Sequence, residues 1–293
     1  MKIEKMLKRY RIEAGKDFHL KKHDPADTYG LKSEFKPQAQ DLLTKGVKEL
    51  ARLQDMLAAQ DRWGLLLIFQ AMDAAGKDGT IKHVMSGVNP QGVQVTSFKA
   101  PSSEEQDHDF MWRTAKRFPA RGDIGIFNRS YYEEVLVVRV HPELLEKEKL
   151  PGQLVSKHIW RDRFEDINAI ERYLTRNGIA ILKFFLHVSK KEQKRRFLDR
   201  LEHPDKNWKF STADVKEREH WDDYQAAYED MIQHTASEHA PWYVVPADNK
   251  WFTRLIVAAA IVDGLKALKL AYPKIDGAQK AELEAARKQL QAE

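Results

Sequence analysis

The sequence predicts an α/β protein: a three-layer α/β/α domain around a mainly parallel five-stranded sheet, with a phosphate-binding loop and a helical lid. Three observations predict it. Short runs rich in Ile, Val, Leu and Phe alternate with segments of helical periodicity, the pattern of a parallel sheet covered on both faces. The first such run leads into a small-residue loop with Gly76-Lys77 near its end, and a helix-compatible segment, 81–85, follows. A strongly cationic segment, 190–209, comes directly after the fourth run and reads as a helical lid at the edge of that loop.

Taken in order, residues 1–37 are basic and irregular, with Lys2, Lys5, Lys8, Arg9 and Arg11 followed by Lys21-Lys22-His23. They read as an arm that packs over the domain or contacts a neighbouring subunit. Over 38–60, Leu42, Leu43, Val47, Leu50, Leu53 and Leu57 recur at helical spacing and predict an amphipathic helix. The strand at 65–70 comes next. Further strands are predicted at 93–98, 124–127, 179–188 and 242–245, with helices at 104–117, 157–175, 190–201 and 214–235. The segment 251–270 is apolar around most of its circumference, so it should be a buried helix. From Asp276 on, the chain is rich in Ala, Glu, Lys and Gln, either a helix or a frayed tail. No repeat or linker divides the chain. A single domain, 1–293, with the arm at 1–37 and a basic lid at 189–212, is the economical reading.

Composition narrows the function classes. The 293 residues include no cysteine, which excludes disulfides, thiolate zinc sites and cysteine nucleophiles, and fits a reducing cytoplasm. No apolar h-region follows the first residues, and the longest apolar run, 255–262, is too short to span a bilayer. The expectation is a soluble cytoplasmic protein with no membrane partner. The net charge of +5, from 49 basic and 44 acidic residues, is modest, so the placement of charge matters more than its sum.

Phosphate chemistry is written first into Ala71-Met72-Asp73-Ala74-Ala75-Gly76-Lys77-Asp78-Gly79. Strand, small-residue loop and helix in that order aim backbone N–H groups and a helix N-terminus at an anion, and the lysine adds charge. The usual G-x-x-x-x-G-K-[ST] pattern is broken at both ends: Ala71 replaces the first glycine, and Asp78 stands where Ser or Thr holds Mg²⁺. A carboxylate is the better ligand for a hard cation, and without a metal it would repel phosphate. Asp73 is therefore read as a Mg²⁺ ligand. For Asp78 a first-turn acid stabilised by the helix dipole is an equal alternative.

The second motif is Phe127-Asn128-Arg129-Ser130-Tyr131-Tyr132-Glu133-Glu134, an apolar strand ending at the shared ligand crevice. Asn128 occupies the place of a Walker B Asp. Arg129 points at the crevice, and Glu133 could restore negative charge near the metal; otherwise Arg129 and Glu133 pair structurally. The third is the run from Lys190 to Lys209, with eight Lys or Arg against four acids. Lys190, Lys194 and Arg195 can share a helical face, and the lid arginines would neutralise the transferred phosphoryl group; a solvated surface helix is the bland alternative. The fourth follows the second strand: Lys99 and Arg113 could grip an acceptor nucleotide, and Phe98 or Trp112 could border its base, although Phe110 and Trp112 also fit a plain core. His108 lacks partners at metal-ligand spacing.

Together with Ser189-Lys190-Lys191-Glu192-Gln193 and Ala240-Pro241-Trp242-Tyr243, these blocks resemble the family-two polyphosphate kinases, in one order over 29–272. Asn128, rather than Asp, is similar to the subgroup that phosphorylates both AMP and ADP. The resemblance implies a thymidylate-kinase-like fold, Mg²⁺ (Mn²⁺ as its substitute), and transfer from inorganic polyphosphate to adenine nucleotides, giving ADP and ATP. It puts Asp73, Lys77, Asn128, Arg129 and Glu133 at functional positions, and the basic lid residues Lys190, Arg195 and Arg196 match less tightly. Read from the residues themselves, phosphate and nucleotide contacts fall to Ala74, Ala75, Gly76, Lys77, Asp78, Gly79, Lys99, Arg113, Arg129, Lys190, Lys194 and Arg196; Asp73 and Glu133 are the metal-ligand candidates, and Arg195 is the lid's catalytic candidate. With no Ser-His-Asp or Cys-His set, direct in-line transfer is expected. The nearest rival is an ATP-dependent nucleoside monophosphate kinase; the other is a non-catalytic polyanion binder. No DNA- or RNA-reading motif is present, so no nucleic-acid partner is expected. The arm and the apolar last helix make a homo-oligomer the expected assembly.

Overall fold

The computed structural model describes residues 3–293; Met1 and Lys2, the head of the expected arm, lie outside the described residues, as does the side chain of Lys209. In chain order the elements are α1 (Ile3–Tyr10), β1 (Arg11–Ile12), α2 (Lys36–Gln60), β2 (Gly64–Gln70), α3 (Lys77–Val84), β3 (Val93–Ser97), α4 (Ser103–Gln106), α5 (Trp112–Ala115) and β4 (Ile124–Asn128). There follow α6 (Val137–Val140), α7 (Ile159–Arg176), β5 (Ile179–His187), α8 (Lys190–Glu202), α9 (Thr212–Lys216), α10 (Trp221–Thr235), β6 (Trp242–Pro246), α11 (Lys250–Ala267) and α12 (Gly277–Gln291).

All seven residues of β2 are buried, because helices cover both faces of the sheet and β2 lies between two parallel neighbours. The strand order is β1-β6-β5-β2-β4-β3. Leaving β2, the chain builds β3 and β4 on one side and β5 and β6 on the other. The strand order thus reverses next to β2, and a crevice opens beyond its carboxyl end. Register brings the ends together: Phe69 of β2 and Ser97 of β3 both stand opposite Asn128 of β4. One helical layer holds α1, α2, α3 and α11; the other holds α6, α7 and α10. Among the described residues no helix is long and apolar enough to cross a membrane.

The five expected parallel strands are present, and a sixth joins them. The two residues of β1 pair antiparallel with β6, Arg11 opposite Tyr243 and Ile12 opposite Trp242. A two-residue strand has no periodicity to read, so the arm looked irregular. It packs over the domain, as one of its two readings had it, with Met6, Leu7, Tyr10, Phe18 and Leu20 buried in the core. The segment 104–117 is not one helix but two short ones. Ser102 and Glu105 form a reciprocal capping box that starts α4, and the Asp109 side chain then accepts from the Met111 amide, closing a turn in place of a helical turn. Likewise 214–235 divides into the end of α9, a 3-10 turn and α10.

Beneath the crevice lies an ion pair with no solvent exposure. Lys183 Nζ of β5 sits 2.6 Å from Glu171 Oε2 of α7 and also donates to the Thr235 carbonyl. The hydroxyls of Tyr131 and Tyr132 donate to the other oxygen of Glu171, at 3.0 and 2.7 Å. Burial lowers the Lys183 pKa, and Glu171 opposes that shift. A satisfied buried pair tolerates its desolvation, whereas half a pair does not. Lys183→Met is expected to lose about 3–5 kcal/mol of stability in urea titration, because it leaves a buried carboxylate uncompensated. Adding Glu171→Gln should recover part of that loss; a double variant no more stable than the single one contradicts the account.

Candidate active site

The loop after β2 is shaped by two left-handed residues, Ala74 (φ 59°) and Gly76 (φ 105°). Glycine carries this conformation without penalty, whereas at Ala74 it stores strain, as tight functional loops do. α3 starts at Lys77, so the free amides of its first turn face the crevice. Lys77 turns its Nζ back to the Ala71 carbonyl at 2.8 Å. Burial first, then the neighbouring Arg129, lower its pKa to about 8, against the pull of Asp73, Glu133 and Asp78.

Arg129 is the second left-handed centre, at φ 64°, and its amide donates to the Phe69 carbonyl at 3.0 Å. The turn throws its guanidinium across the end of β2. One nitrogen lies 2.6 Å from Asp73 Oδ1 and another 3.0 Å from Glu133 Oε2. Glu133, more than any other group, pushes the Arg129 pKa further above its ordinary value. The remaining oxygen of Glu133 accepts from Gln70 at 2.8 Å, so both of its oxygens are engaged. Asn128 does not reach this group; its Nδ2 donates to Asp78 Oδ1 at 2.6 Å. Asp78 therefore faces the end of β4 as well as heading α3.

The basic run divides sharply. Arg196, with 6% of its side chain exposed, donates to the carbonyls of Ala74 and Ala75 in the loop, and of Ala247 and Asp248 after β6. Gln193 of the same helix donates to the Asp73 carbonyl. Arg195 is 63% exposed and pairs with Glu192 at the rim of the helix. Lys190 lies over the Trp221 ring, 5.9 Å from its centre, and Lys194 is exposed. The shared face of Lys190, Lys194 and Arg195 thus points outward, and the inward position belongs to Arg196. A buried arginine on carbonyls was not signalled by charge alone; the helical phase of α8 decides it.

Two clefts meet at the site. One, of about 840 Å³, is lined by the loop 73–80, by Lys99, Asn128, Arg129 and Arg196, and by the further bases Arg200, Lys206, Lys250 and Arg254. Sequence reasoning missed Lys250 and Arg254; their signal is an i, i+4 basic pair opening the helix after the last strand. The other cleft, of about 590 Å³, has apolar walls that include Phe98, Pro101, Phe110 and Val138. Phe98, Lys99 and Arg129 line both. Arg113 lines the second cleft but is buried: it donates to the Lys99 carbonyl at 2.7 Å and lies 3.8 Å from Glu134. It therefore fixes the Lys99 backbone. Trp112 stacks on His108 and stays out of both clefts.

The donor atoms fit a hard divalent cation. Asp73 faces the basic cleft, and its Oδ2 accepts no hydrogen bond among the described residues. No group of three or more His, Cys, Asp or Glu is arranged to hold a metal among those residues. Such a cation would take a carboxylate oxygen from Asp73 and complete its shell with phosphate oxygens and water, the usual manner of Mg²⁺ at phosphate sites.

The sequence profile described as Polyphosphate kinase 2 (PPK2) matches residues 33–273. The chain belongs to the polyphosphate kinase 2 family. It is 54% identical over 258 residues to the ADP-polyphosphate phosphotransferase of Rhodopseudomonas palustris, covering 88% of this chain and 89% of that one. It is 42% identical over 268 residues to the AMP/ADP-polyphosphate phosphotransferase of Meiothermus ruber, covering 92% and 96%. The crystal structure of polyphosphate kinase 2 from Arthrobacter aurescens TC1 superposes with a TM-score of 0.84 at 41% identity, over 94% of this chain and 95% of that one. The family match takes in the whole crevice, from the loop after β2 to the start of α11.

Two expectations follow for this polyphosphate kinase 2 member. Arg196→Ala should lower turnover at least ~100-fold, because it unfastens the phosphate loop, whereas Arg195→Ala should stay within ~3-fold, as for an exposed ion pair. Steady-state kinetics with equal losses for the two would refute the division. Lys77 in the free protein loses its charge as pH rises through about 8. Tripolyphosphate affinity in titration calorimetry should fall across that range, and Lys77→Arg should hold it. Folding stability should move the opposite way, since between about 8 and the ordinary lysine value of 10.5 the unfolded chain binds the extra proton.

Proposed function

We propose that this chain transfers the terminal phosphoryl group of inorganic polyphosphate to AMP and ADP, giving ADP and ATP. The observation that carries this reading is the position of Arg129: it lies where a basic cleft and an apolar-walled cleft join, gripped by Asp73 on one side and Glu133 on the other. A polyanion suits the first cleft, and a nucleotide with an aromatic base suits the second, where Phe98 and Phe110 stand. Their phosphates would then meet beside Arg129. The names borne by relatives support the same reaction, including the polyphosphate:AMP phosphotransferase of Acinetobacter johnsonii.

In the reaction, an oxygen of the acceptor's terminal phosphate attacks the terminal phosphorus of the donor. The bridging P–O bond breaks, and its electron pair leaves with a donor shortened by one phosphate. The residues supply positioning and charge. The α3 amides and Lys77 hold the donor end, Arg129 neutralises the phosphoryl group in flight, and Glu133 with Gln70 keeps Arg129 oriented. Arg196 braces the loop from behind. Mg²⁺, or Mn²⁺ in its place, held by Asp73, would supply further charge neutralisation on the phosphate oxygens. Absence of cysteine suits a reducing cytoplasm as the place of work.

Acceptor range rests on Asn128. Its amide donates to Asp78; an aspartate there would set two carboxylates about 2.6 Å apart, tolerable only with a bound cation or proton between them. Asn128→Asp should therefore stiffen the metal site and shift the ratio of kcat/KM for AMP and ADP by roughly tenfold, about 1.4 kcal/mol. An unchanged ratio removes Asn128 from the explanation. The reaction itself is tested by a donor swap: AMP and Mg²⁺ with either polyphosphate or ATP. Formation of ADP and then ATP from polyphosphate supports the proposal; ADP formed from ATP alone would make the chain a nucleoside monophosphate kinase.

A further inference from the structure

Arg196 braces the phosphate loop only as firmly as Arg196 is itself held. Two of the carbonyls it binds, at Ala247 and Asp248, belong to the turn between β6 and α11. The groups of Asp248 point to three parts of the chain. Its Oδ1 accepts the Ser189 amide at 2.8 Å, and its carbonyl accepts from Arg196 at 3.2 Å. Ser189 is the N-cap of α8, where its hydroxyl accepts the Glu192 amide at 3.0 Å. Asp248 therefore grips α8 twice, at the cap and again two turns on.

The third contact faces the N-terminal arm. The Asp248 amide donates to the Pro25 carbonyl at 3.1 Å, and the Asn249 side chain donates to the Ala26 carbonyl at 3.2 Å. Those carbonyls are presented by a tight local fold. Asp24 Oδ1 accepts the Ala26 amide and Asp27 Oδ1 accepts the Tyr29 amide, each at 2.9 Å. Asp27 Oδ2 takes the Tyr10 hydroxyl and the Arg9 guanidinium of α1, both at 2.9 Å. An unbroken set of bonds thus runs from α1 through Asp27 and Asp248 to Arg196, and from there to the carbonyls of Ala74 and Ala75. Neither Asp248 nor any residue of 24–27 lines either cleft. At the far end stands the left-handed Ala74, and an alanine keeps φ 59° only while its surroundings over-determine it.

We propose that Asp248 is a positioning residue for phosphoryl transfer: backed by the arm at 25–26, it fixes α8 and Arg196 so that the phosphate loop keeps its left-handed turn. The kinetic consequence rests on the phosphotransfer reading of the crevice; the effect on the loop rests on the bonds alone. Asp248 acts as a hydrogen-bond acceptor, so an amide oxygen serves in its place. A role through charge would not survive that exchange.

Asp248→Ala, Asp248→Asn and Asp27→Ala are made in the full chain, and Asp248→Ala also beside Arg196→Ala. Hydrogen–deuterium exchange over 74–80 reads the loop directly. Asp248→Ala should speed it at least ~10-fold and Asp27→Ala about threefold, whereas Asp248→Asn should change it by less than ~2-fold. Tripolyphosphate affinity in titration calorimetry should fall in the same order, by about tenfold for Asp248→Ala, while KM for AMP stays within ~2-fold. Beside Arg196→Ala, Asp248→Ala should add less than ~3-fold, because the contact through which it acts is gone. A general loss of structure would instead give the full effect in both backgrounds, equal losses for AMP and polyphosphate, and no rescue by Asn; any of these overturns the proposal. Unchanged exchange over 74–80 in Asp248→Ala overturns it whatever the turnover, and an unchanged loop in Asp27→Ala overturns the part given to the arm. Asp27→Ala decides alone if Asp248→Ala does not fold. A donor swap that fails with polyphosphate overturns the phosphotransfer reading, and the exchange result still decides this one.

Discussion

A guanidinium held between two carboxylates is the constraint around which this crevice is assembled. Arg129 reaches Asp73 in the loop after β2 and Glu133 in the turn after β4, and its own amide closes onto Phe69. Those contacts join the ends of two adjacent strands and the phosphate loop into one unit. They are short and partly screened from water, so the attraction is stronger than that of a surface pair. The cost is a non-glycine residue in a left-handed conformation, a strain that the surrounding bonds hold in place.

Around that unit the protein spends its buried polar groups on fixing backbone. Arg196 binds four carbonyls and so ties the phosphate loop to the turn after β6. Arg113 binds the Lys99 carbonyl where the two clefts adjoin. Glu171 and Lys183 anchor Tyr131 and Tyr132, and through them the turn that presents Arg129 and Glu133. Charge that might have been counted as ligand-binding is in these cases structural, and the cations left facing the basic cleft, such as Lys77, Lys99 and Arg129, are the ones positioned by it. Phosphoryl transfer asks little covalent chemistry of a protein, so rigid placement of charge is the main contribution such a framework can make.

Much of this was legible from the chain alone. The five parallel strands, the loop with Gly76-Lys77 and the proximity of Asp73, Arg129 and Glu133 follow from local pattern: apolar runs end in polar residues, and parallel strands present those ends to one crevice. The resemblance to a known family carried the reaction class further than periodicity could. The two readings of Arg129, structural partner of Glu133 and crevice cation, turned out to be compatible, because one guanidinium serves both contacts.

What the sequence by itself determined was therefore the class of fold, the order of its elements and which stretches end at the shared crevice, since each is encoded in a contiguous stretch of a few to twenty residues. Tertiary structure decided the rest. A helix presents all its faces in sequence, and only packing against the loop selected Arg196 over Arg195 for the inside. The two residues of β1 have no period, and only the open edge of β6 made them a strand. Lys250 and Arg254 join the basic cleft from α11 because the strand order brings the end of β6 beside the phosphate loop. Such choices depend on contacts between segments more than a hundred residues apart, and local sequence holds no record of those distances.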